Sequence, residues 1–233
     1  MKLTKYKKRQ IKRISALVIA GGIVAAAILT VVFTIGGFIY HRYFSEDDTL
    51  DYERITVEQP SIKKMLLTPN VNSRPQKKLK KVKGIVIHYT ANPGSAAEAN
   101  RNYFESRKDE ADADENKVSS HFIIGLDGTV IQCIPLDEIA YASNERNKDT
   151  ISIECCHPDK SGKFTKETYD SLIDLCAWLC DEYEIEKEDI IRHYDVTGKM
   201  CPLYYVEKEE KWEVLKDSIW NSLKEKAYHI ETE

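Results

Sequence analysis

Two stretches of this chain bring together side chains that bind metal and move charge. RHYDVTGKMCP at 192–202 holds His193, Lys199 and Cys201 within nine residues, and GIVIHYT at 84–90 ends a short apolar run on His88. Two imidazoles and one thiolate supply three protein ligands and leave a fourth tetrahedral position for water, the pattern of a catalytic rather than a structural zinc. Lys199, two residues before Cys201, places a cation near any oxyanion formed there. The chemistry expected of this set is hydrolysis with one catalytic Zn2+ as cofactor.

Glu154 joins the set from the strand ISIECC at 151–156. Alternation puts Ile151, Ile153 and Cys155 on one face and Ser152, Glu154 and Cys156 on the other. A carboxylate inside so apolar a strand is costly unless it is paired or functional. The bland reading is a salt bridge to Arg192 or Lys199, and the functional one is a general base. His121 is expected to make a structural hydrogen bond, and His157, in a turn rich in Asp, Pro, Ser and Gly, to be solvated. Asp195 either orients an imidazole or caps the local turn. His41 and His229 lie too near the flanks to join the site.

The elements that must position these residues alternate between strand and helix signals. Residues 85–87 read as a buried strand ending at His88. Pro93-Gly94 breaks the chain, and Ser95 with Glu98 predicts a capping box for a helix to about Arg107. HFIIG at 121–125 and TVIQCI at 129–134 flank Asp127-Gly128, a hairpin signal. Thr165 caps a predicted helix to about Tyr183, with Leu172, Leu175, Leu179 and Tyr183 on one face. Ile190 and Ile191 form a last strand, and Trp212, Leu215, Ile219 and Leu223 stripe a terminal helix. Both histidines of the proposed set then stand where strands give way to loops, the rim on which α/β folds build sites. The expected fold is α/β, a single domain with a central mixed β-sheet flanked by helices. Gly198 permits the turn that folds Cys201 back toward His193.

Upstream of that domain, Ile14 to Tyr40 runs 27 residues without a charge, longer than the roughly 20 needed to span a bilayer. A cleaved signal peptide is the rival, with Ala25-Ala26-Ala27 as a possible cleavage region, but apolar sequence continues past it. The expectation is therefore an uncleaved anchor over 14–40, a basic tail over 1–13, a stalk over 41–61 and a catalytic domain over 62–233. Residues 1–13 carry seven Lys/Arg and no acid, which puts the N-terminus in the cytoplasm and the domain outside it. Setting that tail aside leaves 27 Lys/Arg against 38 Asp/Glu, a net of −11. So acidic a body is a poor partner for nucleic acid. A monomeric ectodomain is expected. The six cysteines show no disulfide framework: Cys155 and Cys156 are adjacent and point to opposite faces, while Cys176 and Cys180 sit at helical spacing among leucines, as small core thiols do.

GIVIHYT, SSHFIIGLDGTV, TISIE and RHYDVTGKMCP, in this order, resemble the type-2 N-acetylmuramoyl-L-alanine amidases, whose fold is shared with phage lysozyme-type amidases and animal peptidoglycan recognition proteins. The resemblance covers roughly residues 62–225. It implies a peptidoglycan substrate, cleavage of the amide between the muramic acid lactyl group and L-alanine, zinc held by His88, His193 and Cys201, and catalytic roles for Glu154 and Lys199. Phage-type members often carry a catalytic Tyr before the HF pair; here Ser120 stands there, so no tyrosine role carries over. A tethered, non-cleaving peptidoglycan sensor is the rival function, although non-catalytic relatives typically lack the cysteine ligand. Cleavage within the stem peptide is a third reading.

Overall fold

Apolar β-branched runs build the centre of the molecule. In a computed structural model, which describes residues 53, 54 and 56–229, six strands form one sheet. They are β2 (Lys63–Lys64), β3 (Gly84–Tyr89), β4 (Phe122–Ile124), β5 (Val130–Gln132), β6 (Thr150–Cys155) and β7 (Ile190–Arg192), in the order β2-β5-β4-β6-β3-β7. Only β4 and β5 pair antiparallel, through the Asp127-Gly128 hairpin; every other neighbour is parallel. Gly128 takes φ +81°, and a Cβ there would meet Ser171 Oγ at 2.8 Å, so the turn requires glycine. The sheet is mixed, as expected. A separate two-residue ribbon pairs β1 (Glu53–Arg54) with β8 (Tyr228–His229).

The two faces of the sheet are covered differently. Ile85, Ile87, Ile151, Ile153 and Cys155 face the larger core, under the helices α2 (Lys166–Tyr183) and α5 (Glu209–Ala227). Leu172, Leu175 and Leu179 of α2 and Trp212, Leu215 and Ile219 of α5 are buried there. Each such side chain contributes about 1.5–3 kcal/mol on burial. The opposite face packs Ile123, Ile131, Cys133 and Cys156 against Ala97 and Phe104 of α1 (Ala97–Ser106). Cys155 and Cys156 therefore do serve opposite layers. All six cysteines are buried and unpaired in disulfides.

Local signals held at some element ends and failed at others. Thr165 caps α2, its hydroxyl accepting from Thr168 N–H at 3.0 Å. The Ser95–Glu98 capping box does not form. Ser95 Oγ donates to Asn92 O at 2.7 Å and accepts from Asn100 at 2.8 Å, while Glu98 reaches Lys63, so Ala96 caps α1 without a side-chain bond. Val57, at the end of the segment read as a stalk, is 2% exposed in the larger core and donates its N–H to Asp181. The predicted anchor over 14–40 lies outside the described residues. Among those described, no helix is long and apolar enough to cross a membrane.

Candidate metal centre

Parallel pairing puts His88 of β3 directly beside Glu154 of β6, at the carboxyl ends of both strands. On the other side of β3, β7 ends at Arg192, and the chain turns at once into the short helix α3 (His193–Thr197). His193 thus opens a helical turn rather than a loop. Gly198 ends α3 at φ +78°, with open space where a Cβ would stand, and the chain returns so that Tyr194 N–H donates to Cys201 O at 3.0 Å. A second short helix, α4 (Leu203–Glu207), follows Pro202.

This return brings His88, His193 and Cys201 together, with one ligand atom from each lying within 4.8 Å of the others and all three residues buried. The two imidazoles meet edge to face, with ring centroids 4.7 Å apart. His88 Nδ1 is 3.8 Å from Cys201 Sγ, and its Nε2 is 3.1 Å from Ser143 Oγ. His193 Nε2 is 3.0 Å from Asn144 Oδ1. A carbonyl oxygen only accepts, so Nε2–H donates and Nδ1 carries the lone pair. That Nδ1 is buried without any partner.

Burial dominates the electrostatics of the cluster. Burial, with the neighbouring His193 and Lys199, holds His88 well below the ordinary imidazole range, and burial with Lys199 lowers His193. Both rings are therefore neutral at pH 7. Burial, reinforced by Glu154, pushes the Cys201 thiol up to about 12 against the Tyr89 N–H and Lys199, which favour the thiolate. So reluctant a thiol is no free nucleophile; a bound cation is what would ionise it. Two neutral imidazoles, one of them with an orphaned buried nitrogen, and one sulfur fit a tetrahedral zinc with one open position.

Glu154 shares this environment but not the ligand cluster. Its Oε2 is closed off from solvent with no hydrogen-bond partner, and burial raises its carboxyl to about 8 against the opposing pull of Lys199. The salt-bridge reading fails for Arg192. That guanidinium pairs with Asp195 at 2.8 Å and Glu209 at 2.6 Å and donates to Tyr205 O. Asp195 is thereby the local cap, accepting from Arg192 N–H at 2.8 Å, and orients no imidazole. Lys199 is exposed and makes no ion pair among the described residues, yet its charge reaches His88, His193, Glu154 and Cys201.

The remaining histidines divide. His121 is buried and satisfied at both nitrogens: Ser152 N–H donates to Nδ1 at 3.0 Å, and Nε2–H donates to Glu138 O at 2.9 Å. This is the structural bond expected of it. His157 is not solvated but 1% exposed, stacked on Tyr89 at 5.0 Å with Nδ1 bonded to Asp159 O. Ser120 is also buried, its hydroxyl spent on Phe122 O at 2.7 Å. Ser143 and Asn144 are functional candidates that sequence reasoning passed over. They lie in a polar stretch without periodicity, and only their consecutive placement opposite the two histidines of the cluster distinguishes them.

The fold and site together define an α/β domain with a mixed sheet whose carboxyl rim carries a His/His/Cys cluster able to hold a metal ion. The family model described as N-acetylmuramoyl-L-alanine amidase matches residues 78–203, more than half of the chain. The chain belongs to that family, in its type-2 branch. It is 37% identical over 150 residues to the N-acetylmuramoyl-L-alanine amidase CwlL of Bacillus licheniformis, covering 59% of this chain and 40% of the relative. To the amidase BlyA of Bacillus subtilis (strain 168) it is 32% identical over 171 residues, covering 64% and 44%. The match thus spans about two fifths of the length of these curated relatives. Among solved structures, that of PlyL superposes with a TM-score of 0.58 at 28% identity, over 69% of this chain and 97% of PlyL.

Proposed function

We propose that this protein is a zinc-dependent N-acetylmuramoyl-L-alanine amidase, hydrolysing the amide between N-acetylmuramic acid and the L-alanine of the peptidoglycan stem peptide. The observation that carries this reading is the convergence of His88, His193 and Cys201 beside an unpartnered Glu154, in a chain of the amidase family. Zinc bound by the three ligands would supply a Lewis acid that polarises the scissile carbonyl and acidifies a water. Glu154 accepts a proton from the attacking water and returns it to the departing alanine nitrogen. Burial raises the proton affinity of its carboxylate, which makes the ionised form a stronger base, and the charge of a bound zinc, like that of Lys199, would favour that ionised form. Lys199, exposed at the rim within electrostatic reach of the cluster, stabilises the negative charge that develops on the carbonyl oxygen. Cys201 stays a ligand, since burial denies it a nucleophile's role.

The proposed placement of the enzyme rests on its N-terminal sequence. The 27-residue uncharged run behind seven basic residues supports a single membrane anchor with its N-terminus in the cytoplasm and the amidase domain outside, where the wall polymer is. Ranked below this is a tethered sensor that binds the polymer without cutting it.

The full chain, purified in mild detergent and incubated with muropeptides, should release free stem peptide beginning with L-alanine, detected by mass spectrometry. Chelator should abolish the release and added zinc restore it. Retained binding without cleavage by zinc-loaded protein would move the reading to the sensor, and fragments cut within the stem would change the bond.

A further inference from the structure

The ligand histidines sit on different elements, β3 and α3, yet one loop, wound into a 3-10 turn over Asn144–Lys148 with Ser143 just before it, holds the far nitrogen of both. Ser143 and Asn144 are consecutive, and they bond His88 Nε2 at 3.1 Å and His193 Nε2 at 3.0 Å. The loop is itself braced. Asn147 Oδ1 accepts from Ala142 N–H at 3.0 Å and Ser143 N–H at 2.6 Å, and Thr150 Oγ1 donates to Arg146 O at 2.7 Å. Arg146 pairs with Asp149 at 2.8 Å. Asn144 takes φ +52°, a left-handed conformation that asparagine tolerates better than most residues because its short polar side chain bonds locally. Among the described residues, the Ser143 hydroxyl and the Asn144 carbonyl oxygen have no other side-chain partner.

We infer that residues 143–147 form an orienting loop that sets both imidazoles for ligation through Nδ1, with Asn147 as its internal clamp and Ser143 and Asn144 as positioning residues. The inference rests on the zinc reading above and deepens it. Asn144 Oδ1 can only accept, so it fixes the proton of His193 on Nε2 and frees Nδ1. Ser143 Oγ accepts from His88 Nε2–H in the same sense when Nδ1 is a ligand. One loop therefore fixes the ring plane and the tautomer of two ligands at once, as outer partners of metal-bound histidines do. A loosened loop would release both rings together, not one.

The test is zinc affinity, read by competition with a chromophoric chelator on the full chain, with the visible spectrum of the cobalt-substituted protein as a report on geometry. Asn144→Gly keeps the left-handed backbone and removes the acceptor; Asn144→Asp keeps both. Asn144→Gly should weaken zinc about 10–100-fold and alter the cobalt spectrum while the metal-free melting temperature stays put. Asn144→Asp should restore affinity and spectrum. Ser143→Ala should weaken zinc in the same direction. Asn144→Gly binding as tightly as wild type, or Asn144→Asp binding as weakly as Asn144→Gly, would overturn the inference. Wild-type protein that takes up no zinc would instead overturn the metal reading on which it stands.

Discussion

Two polar side chains on one face of β6, two residues apart, have opposite surroundings. Ser152 is closed into a network with His121. Its hydroxyl oxygen accepts from His121 N–H at 3.3 Å and lies 3.0 Å from Nδ1. Its backbone N–H donates to Nδ1, and the His121 Nε2–H donates to Glu138 O. Glu154 stands beside His88 with a buried oxygen that nothing satisfies. Each holds a polar group out of water, but only one recovers the hydrogen bonds it gave up. A satisfied buried network makes a fold specific, whereas an unsatisfied one lowers stability and persists where something else must bind. Along this strand the boundary between structure and chemistry falls between residues 152 and 154.

The contrast breaks most visibly at Glu154. Glu154→Gln keeps shape and removes the proton acceptor, so turnover on muropeptides should fall about 10²–10⁴-fold while zinc content, measured by atomic absorption, is unchanged. A variant that kept near-normal turnover would make Glu154 merely a costly buried group. Lys199→Ala should reduce turnover by about 10²–10³, with KM little affected, because the charge it serves exists only in the transition state. An effect confined to KM would reassign Lys199 to substrate capture.

The other side of the comparison responds to pH. Burial lowers His121 from 6.5 to about 4, so between those values the unfolded chain binds the proton that the native state refuses. Stability should therefore be intact above about pH 6.5 and fall as pH drops toward 4, by about 3 kcal/mol for this group. Denaturant titrations across that range should show a shallower slope in His121→Asn, and an unchanged slope would remove His121 from the account. Smallest of the expected effects, Thr165→Ala should cost about 1 kcal/mol through the lost cap of α2, read as a lower melting temperature.

How much of this was legible beforehand depended on the range of the signal. Strand alternation located Glu154 and separated Cys155 from Cys156, because a period of two survives any tertiary context. The Asp-Gly hairpin and the Thr165 cap are local and formed as read. The Ser95–Glu98 box failed because Asn92 and Asn100, each a few residues away, compete for the same hydroxyl. His157 reads as a solvated turn residue until Tyr89 is seen to cover it. Ser143 and Asn144 meet their histidines across sequence separations of 55 and 49 residues, and no pattern in a single sequence encodes that. That His88, His193 and Cys201 would meet was readable because two imidazoles and a thiol at such positions are chemically distinctive, while the residues around them are common polar ones that gain meaning only from position.

Arg192 closes the account of the metal centre from an unexpected side. Its guanidinium lies over the rings of Tyr194 and Trp212 and is tied to Glu209, so the residue just before a ligand is gripped by the terminal helix. The recognisable family segment ends at residue 203, short of that helix. A transplant of residues 78–203 would thus carry every proposed ligand and leave behind the grip on Arg192, the neighbour of His193. In modular terms, the unit that can be recognised is smaller than the unit that can be moved.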